Sequence, residues 1–277
     1  MSHHSTTATE QPTVAVIIPH SAAHTPQEML DEAVASANSQ VGVETEIVVV
    51  EDDEQRGPAW ARNQGLDRVD RRYVAFLDAD DRWKERKLQA QLREMKSSGA
   101  GLCVDGERDY SPLEFARALL GSETFGLTST ILVDTEQVNV RFDESLDRHE
   151  DHLFMIEAAM SAGVCFSTDT YTERLLESGL TNQVGYSPAA IDAFYEQLVD
   201  RVPEAARLED VYYQDAYVDL GRRRHAACQY RGAIEAYRES LSYGPTVKAI
   251  GALGLTVLKF LYEYPTRPAR RLVAEAR

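Results

Sequence analysis

Residues 73–83 read YVAFLDADDRW. The apolar run Tyr73–Leu77 predicts a strand buried on both faces, as in a parallel sheet. Directly after it, Asp78, Asp80 and Asp81 crowd into four positions. In open parallel sheets, ligands bind at the carboxyl ends of the strands. Hard oxygen donors at such a place suggest a divalent cation, Mg2+ or Mn2+, that takes one or two carboxylates and fills its shell with phosphate oxygens and water. The plainer reading is that Asp80 or Asp81 caps a helix over Arg82–Lys96 and favours its dipole.

Two runs upstream repeat the pattern. Thr13–Pro19 (TVAVIIP) and Glu46–Val50 (EIVVV) predict buried strands, the first closing on Pro19-His20-Ser21 and the second on Glu51-Asp52-Asp53. A helix through Asn38 opens at Thr25-Pro26, with Thr as N-cap and Pro at the first helical position. A further helix is expected at Pro58–Val69 and a strand at Leu102–Val104. Strands alternating with helices predict an α/β domain with a mostly parallel sheet flanked by helices. Gly57-Pro58 makes a tight helix entry whose free N–H groups point back toward the crevice. Arg62, one turn in, can reach a carboxylate or phosphate; the plainer reading is a surface ion pair.

Farther along, Ser111–Leu120 and Glu150–Ala162 read as helices, Ser129–Val133 and Val164–Ser167 as strands. Beyond a Gly/Asn/Ser/Pro-bearing linker at 180–187, only helix signals follow: Pro188–Val199, Glu204–Ala227, Tyr230–Ser242, Thr246–Tyr262 and Arg267–Ala276. The expected organisation is a polar, disordered lead-in at 1–11, an α/β domain over 12–185 and an all-α segment over 186–277.

Composition excludes some classes. The chain has 277 residues, 45 acidic against 29 basic, and a net charge of −16. So negative a surface repels nucleic acid and anionic lipid. Lys stands only at 84, 87, 96, 248 and 259, an acid-rich, lysine-poor pattern expected of a salt-loving cytoplasm. Cys103, Cys165 and Cys228 have no ligand or disulfide spacing, which fits a reducing cytoplasm.

Five pieces in order, VAVIIP, IVVVEDD, GPAWARNQG, FLDADDRW and HEDHLF, resemble a family 2 glycosyltransferase of the GT-A type over roughly residues 12–180. The resemblance implies a nucleotide-sugar donor (a UDP-, GDP- or TDP-sugar), a glycan or lipid-linked acceptor, and inverting, metal-dependent transfer to a hydroxyl. It implies a nucleotide held near Pro19, His20, Glu51, Asp52, Arg62 and Asp78. Asp78 and Asp80 match the aspartates of the family's Asp-x-Asp motif, Asp80 being the better metal ligand. Asp151 matches the family's base, with Glu150 as its neighbour; a helix start enriched in acids for dipole reasons is the plainer reading. His149 and His152 have the spacing of a metal pair but no evident third ligand. Other readings are a degenerate relative acting as a binding partner, prompted by the short 51–57 loop, and a sugar-phosphate nucleotidyltransferase. The latter wants a Gly-rich basic loop after the first strand, and His20–Pro26 is not one.

In the C-terminal segment Tyr217, Leu220, Gly221, Ala233, Tyr237 and Pro245 fall at the spacings of one tetratricopeptide-like unit. One unit cannot bury its own apolar face, so a helical appendage packed on the transferase domain or on a second copy is expected. Leu253, Leu255, Leu258 and Leu261, followed by Arg267, Arg270 and Arg271, predict internal packing; the alternative is peripheral contact with a membrane.

Overall fold

The computed structural model describes residues 11–106, 108–124, 126–146, 148–168, 172–174 and 187–263. Residues 1–10 of the expected lead-in and the helix expected at Arg267–Ala276 lie outside these. The chain divides into two compact units after residue 184, with Ala116–Thr124 assigned to the second.

The first unit is built on strands β1 (Thr13–His20), β2 (Glu44–Glu51), β3 (Tyr73–Phe76), β5 (Leu102–Asp105), β6 (Ile131–Asp134) and β7 (Val164–Ser167), ordered β2-β1-β3-β6-β5-β7 in one sheet. β1 runs parallel to β2 and β3, and β5 parallel to β7; β6 is antiparallel to both β3 and β5. In the β1–β2 ladder His20 stands opposite Glu51.

The continuous apolar run of β1 follows from burial on both faces. Val14, Val16 and Ile18 share a core with Leu30, Ala33 and Ala37 of helix α1 (Gln27–Asn38) and with Leu88, Leu92 and Met95 of α3 (Lys87–Ser98). On the opposite face Ile17 meets Gly65 of α2 (Pro58–Leu66), where a Cβ would lie 2.3 Å from the Ile17 Cγ2. Gly65→Ala therefore forces Ile17 off its rotamer. It is expected to cost about 1–3 kcal/mol, read as a lowered thermal midpoint.

Some elements differ from the sequence reading. The α1 N-cap is Pro26 rather than Thr25, and no side chain caps it. Helix α3 begins at Lys87, five positions after the predicted Arg82 start. The intervening Asp81–Trp83 is a strand, β4, paired antiparallel with β8 (Thr172–Arg174). Trp83 explains the delay. It is buried, its Nε1–H donates to the Ser129 carbonyl (2.8 Å) and its backbone N–H to the Ser36 hydroxyl (3.2 Å). Neither Asp80 nor Asp81 is thus a cap of α3. The strand predicted over Ser129–Val133 opens instead with a 3-10 turn, Thr128–Thr130.

The remaining helices of the chain include α4 (Pro112–Leu120) and α5 (Glu150–Ala162). The second unit holds α6 (Pro188–Arg201), a 3-10 helix at Pro203–Leu208, α7 (Glu209–Ala226), α8 (Tyr230–Ser242) and α9 (Val247–Glu263). Tyr237 of α8 is fully buried against α7, where a Cβ on Gly221 would lie 2.4 Å from its ring. The internal packing predicted for Leu255, Leu258 and Leu261 does not occur: all three are exposed, because α9 turns Ala249 and Thr256 inward instead.

Candidate active site

The carboxyl ends of β1, β2 and β3 carry the polar groups. His20 closes β1 and is buried; its Nδ1 lies 2.7 Å from the Glu51 Oε2 and its Nε2 3.0 Å from the Thr25 carbonyl. Glu51 leaves half of its side chain exposed. Asp52 is buried, and its two carboxylate oxygens accept the backbone N–H groups of Arg56 and Gly57, each at 2.8 Å. It therefore shapes the short loop that launches α2. Gly57, with φ 103°, makes a turn that disfavours a side chain. Pro19 sits one position before His20, opposite Val50.

Below β3, Asp78, Asp80 and Asp81 each bring a carboxylate oxygen within 4.8 Å of the others. Asp78 donates its N–H to the Ser129 hydroxyl (3.0 Å), and the Asp81 N–H turns back to the Asp78 carbonyl (2.9 Å). Asp81 is buried, while Asp78 and Asp80 are partly open. Three clustered carboxylates of graded exposure form a hard-oxygen donor set that fits Mg2+ or Mn2+. Asp81 and Ser129 join this cluster through the β4–β8 pairing and the 3-10 turn at 128–130. Asp81 stands beside Asp78 and Asp80 in the sequence, whereas Ser129 reaches the cluster by a contact distant in sequence, which spacing alone does not reveal.

Arg62 links this cluster to α5. Its guanidinium is buried, donating to the Asp78 Oδ1 at 2.8 Å and to the Glu150 Oε1 at 3.0 Å. It also lies 5.3 Å over the Phe142 ring, which stacks on Phe154 at 4.2 Å. The Asn63 side chain fixes that floor, its Nδ2 donating to the Phe142 carbonyl (2.9 Å) and its Oδ1 accepting from the Phe142 N–H (3.0 Å). Burial opposes the Arg62 charge, but Asp78 and then Glu150 hold the guanidinium protonated above its ordinary range. A surface ion pair is not what Arg62 makes.

His149 takes a left-handed backbone (φ 63°) that opens α5 with Glu150 and Asp151. Burial raises Glu150 above the usual carboxylate range, and Asp151 adds to this. Burial pushes Asp151 up to about 6, with Arg62 and the His152 N–H (2.8 Å) pulling the other way. His149 and His152 stack on one another, centroids 4.9 Å apart. Burial depresses His152 to about 4, so it is neutral where Asp151 titrates.

A reaction that uses Asp151 as base is expected to lose kcat/KM below pH about 6, about tenfold per unit. Asp105 is also raised to about 6, by burial beside Lys87, so the profile is to be repeated with Asp105→Asn, which should leave the limb in place. For stability the sign is opposite. A carboxyl raised in the fold favours the native state while protonated, so its contribution is present below about pH 4 and is lost as pH rises through about 6.

Comparison with known proteins shows what the sequence and the fold are similar to. The family model described as glycosyl transferase family 2 matches residues 31–160. The succinoglycan biosynthesis protein ExoO of Rhizobium meliloti is 28% identical over 193 residues, covering 52% of this chain and 56% of that protein. The amylovoran biosynthesis glycosyltransferase AmsB of Erwinia amylovora is 36% identical over 121 residues, 36% of this chain and 40% of its own length. The chain thus spans about half the length of these curated relatives. Among solved structures, that of S. aureus TarS 1-349 in complex with UDP superimposes with a TM-score of 0.56 at 16% identity, over 84% of this chain and 81% of that one. A mixed sheet flanked by helices, the matched segment and these neighbours together make residues 31–160 similar to a glycosyl transferase family 2 domain, on a fold similar to that of the solved neighbour.

Proposed function

We propose that this chain is an inverting glycosyltransferase moving a sugar from a nucleotide-sugar donor to a hydroxyl acceptor. The observation that carries the reading is the Arg62 bridge. Its ion pairs to Asp78 and Glu150 put the aspartate cluster after β3 and the acids opening α5 on one buried cation. A donor diphosphate and an attacking hydroxyl need those two kinds of group on one crevice. Support comes also from the relatives named for polysaccharide biosynthesis and from a neighbour solved with UDP and with UDP-GlcNAc.

In this reading His20 and Glu51 line the nucleoside end and Asp52 holds the loop beside it. Asp80 and Asp78 hold Mg2+ or Mn2+, which when bound offsets the negative charge that develops on the leaving diphosphate. Asp151, ionised above about 6, accepts the acceptor's proton as its oxygen bonds to the anomeric carbon. Attack from the face opposite the leaving group inverts that carbon. Arg62 holds Asp78 and Glu150 in place through its two ion pairs. The acceptor class is a hydroxyl of a glycan or of a lipid-linked glycan. The test is donor turnover: Asp80→Ala is expected to lower sugar transfer and donor hydrolysis by at least about 10²-fold, and unchanged turnover would refute the role of Asp80.

A further inference from the structure

We infer that the outer face of α9 docks on an anionic lipid surface, through an apolar stripe along the helix and basic residues beside it. This stands apart from the transferase reading, since docking needs neither donor nor acceptor. Among the described residues, seven large hydrophobic side chains are exposed, and all but Val41 lie on α9: Val247, Ile250, Leu255, Leu258, Leu261 and Tyr262. Val247 to Leu261 follow at three to five positions and Tyr262 adjoins Leu261, which at 3.6 residues per turn draws one stripe along a single side of the helix. Gly251 and Gly254 lie along it, and a Cβ on either would meet nothing within 4 Å. Among the described residues, no side chain covers the stripe at these two positions.

The opposite side is firmly seated. Ala249 and Thr256 are buried, Thr256 Oγ1 lies 2.7 Å from the His225 Nδ1, and Tyr230 OH donates to Glu263 at 3.1 Å. α9 thus turns Ala249 and Thr256 inward and presents six large apolar side chains outward, while Leu253, Val257 and Phe260 are half-buried. A soluble surface seldom carries so contiguous an apolar patch without a partner.

Charge identifies the partner. Lys248 and Lys259 are exposed on α9. From Val247 onward the sequence has six Lys or Arg against Glu263 and Glu275 alone, in a chain whose net charge is −16. The positive charge of Lys248 and Lys259 beside an apolar stripe suits acidic headgroups over an acyl layer. A second copy seated on the same face by a two-fold axis would set lysine against lysine. Among the described residues no helix is long and apolar enough to cross a membrane, so the contact is a helix lying on the surface.

The test is flotation of the full chain with vesicles of phosphatidylcholine alone or with about a quarter phosphatidylglycerol, alongside sedimentation velocity without lipid. Binding is expected to the anionic vesicles and to fall at least tenfold in three cases: on neutral vesicles, at about 1 M salt, where charges are screened beyond about 3 Å, and in Leu255→Asp/Leu258→Asp. Those positions are exposed, so the variant keeps its thermal midpoint, which circular dichroism checks. Three results would overturn the inference: no vesicle binding, equal binding to both lipids, or a dimer that the double variant converts to monomer. The last assigns the stripe to a second copy.

Discussion

Asp151→Asn is expected to lower sugar transfer by about 10²–10⁴-fold, the usual worth of a positioned general base, while donor binding stays within about twofold. The amide keeps the size of the carboxyl and can still accept the His152 N–H, which the carboxylate takes at 2.8 Å. It cannot take up a proton from an attacking hydroxyl. The residue also carries an unfavourable charge, since burial pushes it up to about 6. The variant should therefore be no less stable than the parent above pH 6. Steady-state kinetics with a thermal melt reads both. A large loss of activity with a lowered melting point would instead mark Asp151 as structural.

Arg62→Met should show the reverse signature, damage to fold and function together. The guanidinium is buried between Asp78 and Glu150, with Asp151 close enough to raise its pKa further. Removing one partner of a buried ion pair leaves the other charge uncompensated, at about 3–5 kcal/mol. Asp78 and Glu150 keep some exposure, 21% and 14% of their side chains, so the lower end applies. About 3 kcal/mol corresponds to a fall in Tm of roughly 6–12 °C. The lost cation also lifts Glu150 and Asp151 further, so any residual activity shifts its acidic limb above about 6. Arg62→Lys should recover only part, because a single ammonium cannot span the two acceptors as the planar fork does. A melting point unchanged in Arg62→Met would remove the bridge from the account.

Much of the architecture is readable from local signals, and the exceptions share a cause. The helix at Glu150–Ala162 and the strand at Val164–Ser167 begin and end where periodicity puts them. Both are bounded by residues with local meaning, the acids at one end and Gly163 at the other. Asp81–Trp83 was not readable as a strand, because its partner Thr172–Arg174 lies about ninety positions away and Trp83 is held by Ser129 and Ser36. Arg62 was legible as a candidate but not as a bridge, since Glu150 is 88 positions distant. Leu255, Leu258 and Leu261 misled in the other direction. Leucines at helical spacing imply a buried face, and nothing local reveals that Ala249 and Thr256 take it instead.

The central claim is that the aspartate cluster after β3 holds a cation that carries a nucleoside diphosphate. Calorimetric titration of UDP, GDP and TDP into the full chain, with and without Mn2+, tests it most directly. One of the three is expected to bind, binding to drop at least tenfold without the cation, and Asp80→Ala to remove the difference. Binding that is equally tight with and without Mn2+, or no binding of any diphosphate, would contradict it.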